Sequence, residues 1–359
     1  MLKYSMGLDI SAKTIYACIS IIDAAQKVTV KSSCKIDNTL SGFKQLDQWA
    51  NKHRKLKDIP LVVNMEATGV YYENCALYLF KQDYSVSVLL PNKAKKWLQS
   101  EGLKSKNDKI DAQGLSKMGA EKALELWQPA AEYYYQLRAM TRQQQSLQEF
   151  KTAVNNQLHA EEHGMYKNKM VIRQLKQQIK FIEKQIADLE TAIEAHIAAD
   201  EEVAAKVENI CKIKGLGILT VAVIIAETNG FALFKNGPQL VSYAGYDVIE
   251  NQSGDRKGKT KISKKGNSRI RRILHMPALN MVRYNQTPFV DLYKRTFEKH
   301  GLKMKSYVAI QKKLLVLIYA LWKNNTAYNI EHKNKYTREL EQELPLGLAS
   351  IEARFENAV

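Results

Sequence analysis

The sequence predicts three differently built parts: a mixed α/β region at the N-terminus, a long coiled-coil helical middle, and a mostly helical C-terminal region. Short apolar runs come first and then alternate with helical patterns. Isoleucine and leucine recur at steps of three and four from Ile172 to Ile193. The last third is helical around one polar, basic loop, at residues 251–266. A length of 359 residues favours two domains or more. The expected divisions are 1–125, 126–205 and 206–325, with a polar tail at 326–359 that is a surface helix or partly ordered.

Residues 4–10 and 14–21 are apolar runs separated by the turn Ser11-Ala12-Lys13, and 28–30 continues them as a third strand. A helix starts after Asn38, with Phe43, Leu46 and Trp49 on one face. The strand at 61–66 precedes a helix carrying Ala76, Leu77, Leu79 and Phe80, and a further strand at 86–90 is ended by Pro91. In the middle, Ile172, Leu175, Ile179, Ile182, Ile186, Leu189 and Ile193 form a heptad seam among polar residues. Leu147, Phe150, Val154 and Leu158 are spaced similarly. The segment Glu161-Glu162-His163-Gly164 lies between the two and could turn them into an antiparallel hairpin. Such a seam is a spacer, a dimer interface, or both.

Lys and Arg number 54 against 37 Asp and Glu, a net charge of +17, which suits a polyanionic partner. Cys18, Cys34, Cys75 and Cys211 are scattered, which argues against a disulfide framework or a zinc site. The N-terminus lacks the long apolar core of a signal peptide and no apolar run is long enough to span a membrane, so a cytoplasmic location without membrane partners is expected.

Four acids stand out. Asp9 ends one apolar strand and Glu66 another, while Asp108 and Asp111 lie three apart, on one face if helical. An acid at a strand end, taken singly, is more often a cap, a turn residue or a solvated charge, and Asp108 with Asp111 alone is equally a helix-surface pair. Together the four could hold a pair of Mg²⁺ ions, which prefer oxygen ligands, and two such ions can stabilise a phosphodiester displacement.

The second half carries basic signals. Gly215-Leu216-Gly217 opens an apolar helix and resembles a helix–hairpin–helix turn, whose N–H groups can hold a DNA phosphate, although two glycines also make a plain tight turn. Between Gly254 and Leu274, Arg256, Lys257, Lys259, Lys261, Lys264, Lys265, Arg269, Arg271 and Arg272 face a single acid, Asp255. A solvated charge run would intersperse acids, so nucleic-acid contact is the better reading. Ser253 and Ser263 both lie in this loop, and nothing in the residues selects one over the other.

Gly7-Leu8-Asp9, Glu66-Ala67-Thr68-Gly69-Val70-Tyr71 and Lys106-Asn107-Asp108-Lys109-Ile110-Asp111-Ala112 resemble the DEDD motifs of a family of bacterial insertion-sequence transposases. That family includes the Piv-type DNA invertases and bridge-RNA-guided recombinases. The match runs from about residue 4 to 285 and continues through Ser253-Gly254, Ile262-Ser263-Lys264-Lys265-Gly266-Asn267 and Arg269-Ile270-Arg271-Arg272. The resemblance implies a RuvC-like, ribonuclease-H-like N-terminal domain with Asp9, Glu66, Asp108 and Asp111 as metal ligands. It implies a C-terminal transposase domain with Ser253 as nucleophile. It further implies donor and target duplex DNA and a structured non-coding bridge RNA as partners. Two departures flank the site: Lys214 replaces the family's proline, and Tyr246-Asp247-Val248 replaces Leu-Val-Pro.

The expected reaction is strand exchange through a phosphoserine, by a homodimer that becomes a tetramer on DNA and acts at the bacterial nucleoid. A nuclease that uses the carboxylates to activate water is the main rival. A binding protein with a decayed site is a third reading, which the presence of all four acids and the serine disfavours.

Overall fold

Alternation of apolar and polar residues in the first strands builds a five-stranded sheet, β1 (Lys3–Ile10), β2 (Thr14–Ile22), β3 (Val28–Asp37), β4 (Leu61–Glu66) and β5 (Ser85–Leu89). The computed structural model describes residues 2–102, 107–250, 252–253, 256–258 and 260–329, with Ser253, Arg256 and Lys257 described by backbone alone. The chain divides into two compact units, residues 1–129 and 130–359.

In the first unit the strand order is β3-β2-β1-β4-β5, with β1, β2 and β3 antiparallel and β1, β4 and β5 parallel. This is the expected mixed sheet. The third strand runs seven residues past the expected end at Val30, as a polar edge with an irregular register at Ile19/Ser20. Helices α1 (Leu40–His53) and α2 (Glu73–Lys81) contribute Phe43, Leu46, Cys75 and Leu79 to a core shared with Tyr4, Met6, Leu8, Val63 and Met65. The hydroxyl of Thr39 caps α1, accepting from the Gly42 N–H at 3.2 Å. Pro91 does not merely end β5; it opens a further helix, α3 (Pro91–Ser100), where its missing N–H is no loss. Helix α4 (Asp108–Glu121) lies on β1, β2 and β4.

The second unit starts with α5 (Glu132–His163) and α6 (Lys169–Ala198). Their cross-links run in opposite senses: Gln144 to Glu190 at 3.0 Å, Lys151 to Glu183 at 2.9 Å and Lys176 to Glu162 at 2.7 Å. The pair is therefore an antiparallel hairpin, and the seam residues Leu175, Ile186 and Ile193 are buried within one chain. Phe150 corrects the expected spacing. It is 60% exposed, while Leu147 is buried and Lys151, Val154 and Leu158 are partly covered, so the α5 stripe follows the helical period past it.

The base of the hairpin enters the C-terminal core. Leu137, Ile193 and Ile197 pack with α7 (Glu201–Cys211), α8 (Ile218–Glu227), α9 (Gly237–Tyr243), α10 (Ser268–Ile273), α11 (His275–Arg283) and α13 (Lys303–Asn324), while α12 (Phe289–His300) packs on α13. Helix α8 is apolar almost all round and buried from Thr220 to Glu227, as expected of a central helix. Between α9 and α10 the chain forms two short antiparallel ladders, β6 (Val248–Ile249) with β9 (Lys261–Ile262) and β7 (Gln252–Ser253) with β8 (Arg256–Lys257). Of the tail, residues from 330 on lie outside the described residues. No helix among those described is long and apolar enough to cross a membrane.

Candidate active site

Strand alternation decides which way the acids face. Tyr4, Met6 and Leu8 of β1 and Val63 and Met65 of β4 pack with α1 and α2. Ser5, Gly7 and Asp9, and likewise Asn64 and Glu66, therefore share the opposite face, which α4 covers. That face is polar and closely packed. Ser116 donates to the Ser5 carbonyl at 2.9 Å and pairs with the Ser20 hydroxyl at 2.7 Å, and the Asn64 amide donates to the Ser5 hydroxyl at 2.8 Å. A Cβ at Gly7 would stand 2.2 Å from the Ser116 nitrogen and 2.3 Å from the Ala112 oxygen, so only glycine admits the helix.

The packing order fixes the direction of α4: Gly119 lies beside Ser5 and Asn64, and Ala112 beside Gly7. Its first turn, with Asp108 and Asp111, accordingly points to the end of β1 that carries Asp9. Leu8 is the register partner of Met65, so Asp9 and Glu66 follow side by side at the ends of two parallel strands. Asn38 ties the loops at this end together, donating to Ser11 O at 2.9 Å and Tyr71 O at 3.1 Å. Asn107 caps α4, accepting from the Ile110 N–H at 2.9 Å, and the helix N-terminus favours the two acids there. Gly69, in the turn after Glu66, has φ +58°, which explains glycine within that motif.

Asp9, Glu66 and Asp111 are half-buried and Asp108 is exposed. The donor set is all carboxylate oxygen, the chemistry a hard divalent ion requires. Among the described residues no three acid, histidine or cysteine side chains are drawn close enough to hold an ion. The four acids are thus gathered at one sheet end without being closed on one point.

In the second unit Ser253 is the register partner of Arg256 in the outer ladder. Ser263 is at the base instead. Its hydroxyl donates to Gly245 O at 3.3 Å and accepts from the Lys265 N–H at 3.2 Å, an ordinary turn role. The base is closed by Ser263 N to Asp247 O at 2.7 Å, Lys264 N to Gly245 O at 3.1 Å and Asn267 N to Tyr243 O at 2.7 Å. A Cβ at Gly266 would meet the Tyr243 oxygen at 2.4 Å, so this approach needs glycine.

The basic residues differ in what they do. Lys261, Lys264 and Lys265 are exposed. Arg271 donates to Ala244 O at 2.8 Å and Gly266 O at 3.3 Å, locking the base. Arg272 pairs with Glu149 of α5. Arg269 lies 4.0 Å from Glu227. The side chains of Arg256 and Lys257, and all of Lys259, lie outside the described residues. Gly215, with φ +94°, and Gly217, at the start of α8, form the turn between α7 and α8. Lys214 of that turn lies 5.2 Å over the Tyr284 ring. The other departure, Tyr246, is buried and its hydroxyl donates to Gln311 at 2.9 Å.

Sequence reasoning missed the group around Glu227. This acid is 4% exposed; Arg142 donates to it from Nε at 2.7 Å and Nη2 at 3.0 Å, and Asn267 from Nδ2 at 2.7 Å. The available signal was an acid closing an otherwise apolar helix.

One unit carries a sheet end bearing carboxylates and the other a basic hairpin bearing a serine, and the family matches make the chain a DNA-processing enzyme of the transposase class. Residues 6–161 match a DEDD transposase family of IS110 type, and residues 207–294 match the transposase IS116/IS110/IS902 family. The chain belongs to this family of insertion-sequence transposases, enzymes that cleave and rejoin DNA. Pilin gene-inverting proteins of Moraxella bovis and Moraxella lacunata are each 27% identical over 332 residues, covering 92% of this chain and 98% of theirs. A transposase for insertion sequence element IS1111A from Coxiella burnetii is 22% identical, covering 79% of this chain and 86% of its own. Among solved structures, Thermus thermophilus RuvC is similar over 33% of this chain and 93% of its own, at 12% identity and TM-score 0.27.

Proposed function

We propose that this transposase exchanges DNA strands through a covalent phosphoserine at Ser253, with Asp9, Glu66, Asp108 and Asp111 as the metal-holding set of a ribonuclease-H-like domain. The observation that carries this reading is the contrast between the two serines. Ser253 lies in the outer ladder opposite Arg256, whereas the Ser263 hydroxyl is engaged in the turn at the base.

In the first step the Ser253 oxygen–phosphorus bond forms as the bond from phosphorus to the 3′ oxygen breaks. The hydroxyl proton passes to the leaving oxygen. In the second step a 3′ hydroxyl of the exchanged strand attacks the phosphoserine, restoring the serine hydroxyl and a phosphodiester. Bond energy is retained throughout, so no nucleotide is consumed. Mg²⁺, as a pair of ions, would neutralise charge at the scissile phosphate. Asp9 and Glu66 of the strands and Asp108 and Asp111 of the first turn of α4 would hold the ions.

The exposed Lys261, Lys264 and Lys265 and the Gly215–Gly217 turn would contact the DNA backbone, and the net charge of +17 favours nucleic acid overall. Family resemblance assigns sequence choice to a structured bridge RNA and the working place to the bacterial nucleoid. Exchange between two duplexes needs at least two serines, so the assembly is proposed to be a dimer that becomes a tetramer on DNA. With the α6 seam buried inside the chain, exposed apolar groups of the α5–α6 hairpin such as Phe150, Phe181, Met165, Tyr166 and Met170 would serve such contacts.

A duplex nicked near the cleavage point tests the chemistry. The serine mechanism gives a denaturant-resistant protein–DNA adduct that Ser253→Ala loses and Ser263→Ala retains. A hydrolytic nuclease gives free 5′-phosphate, no adduct, and cleavage that survives Ser253→Ala.

A further inference from the structure

Glu227 closes α8 inside the core of the second unit, where an unpaired carboxylate would be strongly destabilising. Burial alone would raise its pKa. The donors Arg142 and Asn267 outweigh that effect, and the net shift is downward, so the group is anionic at neutral pH. Its backbone oxygen also accepts from the Tyr243 hydroxyl at 2.9 Å.

The donors come from three places: Arg142 from α5, Tyr243 from the end of α9, and Asn267 from the start of α10. Tyr243 and Asn267 are the two ends of the segment that carries Ser253, and their backbones are joined at 2.7 Å. The ladders between them are two residues long, too short to hold a fixed direction unaided. Orientation of the hairpin is therefore set at its base. Asn267 works twice there: its Oδ1 caps α10, accepting from Arg269 N at 3.0 Å and Ile270 N at 3.2 Å, while its Nδ2 reaches Glu227.

We propose that Glu227 is a positioning residue for strand exchange, its carboxylate fastening the base of the serine hairpin to the long helix α5 through Asn267 and Arg142. The inference rests on Ser253 being the nucleophile. Glu227 itself touches no substrate.

The polarity of the contact supplies the test. Glu227→Gln keeps the shape but puts an amide N–H₂ opposite the Asn267 N–H₂ or the Arg142 guanidinium, donor against donor. Asn267→Asp keeps the cap, because Asp caps as well as Asn, and offers an acceptor instead. Each single variant should slow adduct formation on the nicked duplex, at saturating DNA, by roughly 10- to 100-fold, as a small misplacement does. DNA affinity should be unchanged, and the double variant Glu227→Gln with Asn267→Asp should recover most of the rate. A merely structural role would lower folded fraction, affinity and rate in step.

If Glu227→Gln does not fold, Arg142→Lys retains the charge but loses the second donor, and should slow the adduct by roughly 3- to 10-fold. An unaltered rate in Glu227→Gln or in Arg142→Lys would overturn the proposal, as would a double variant no faster than the slower single one. Those outcomes leave the serine reading standing. Absence of any adduct with the unsubstituted chain would overturn the serine reading, and the positioning role with it.

Discussion

The two candidate halves of the chemistry are mounted in opposite ways. Asp9 and Glu66 end the two central parallel strands of a five-stranded sheet, and Asp108 and Asp111 open a helix whose backbone lies on Gly7. Ser253 lies in a two-residue ladder beyond another two-residue ladder, joined to the core by Asn267, Arg271 and Tyr243. The acids are placed by register and close packing, which tolerate little adjustment. The serine is placed by a few polar contacts at a hairpin base. Substitutions at the sheet end should act on chemistry with little change in position, while substitutions at the hairpin base should act on position first.

The largest expected effect is at the acids themselves. Asp9→Ala, Glu66→Ala, Asp108→Ala and Asp111→Ala should each reduce strand exchange by at least about 100-fold while leaving thermal unfolding intact. Near-normal recombination in Mg²⁺ by any one of them would remove that residue from the site. Mixing Asp9→Ala protein with Ser253→Ala protein comes next. If protomers share a site, the mixture regains recombination that neither protein has alone, and sites complete within one chain would leave it inactive.

Gly7→Ala separates packing from chemistry. Its Cβ would push on α4 backbone at 2.2 and 2.3 Å, at a cost of about 1–3 kcal/mol. Calorimetry would show that loss, and strand exchange should fall with it as Asp108 and Asp111 are displaced. The smallest effects belong to the basic loop. Lys264→Ala and Lys265→Ala should each flatten the salt dependence of DNA binding by about one phosphate. Arg271→Ala should leave that slope unchanged and lower stability, because its guanidinium serves two backbone carbonyls. A change of slope for Arg271 and none for the lysines would reverse the assignment.

The sheet was legible in the sequence because alternation and apolar runs report burial directly, and the expected strands at 4–10, 14–21 and 61–66 lie within or coincide with β1, β2 and β4. The antiparallel α5–α6 hairpin was legible for the same reason. Phe150 misled because a large apolar residue near a stripe reads as part of it, although its neighbour Lys151 is the one partly covered. Helix α3 was hidden behind Pro91, which marks a helix start as readily as a strand end. The ladders at 248–262 are too short to show any period, so they read as a loop. The acids and the serine of the proposed site could be picked out in the sequence. Its anchoring was not: Arg142, Glu227 and Asn267 are separated by 85 and 40 residues, and no local pattern joins them.

Mapping the covalent attachment tests the central claim most directly. Adduct trapped on a nicked duplex would be digested with nuclease and trypsin, which cuts after Lys235 and Arg256 and so isolates Ser253 from Ser263. The account predicts a nucleotide-bearing phosphate on the 236–256 peptide, with fragmentation placing it on Ser253. Phosphate on the peptide containing Ser263, or DNA ends released with free 5′-phosphate and no peptide attached, would contradict it.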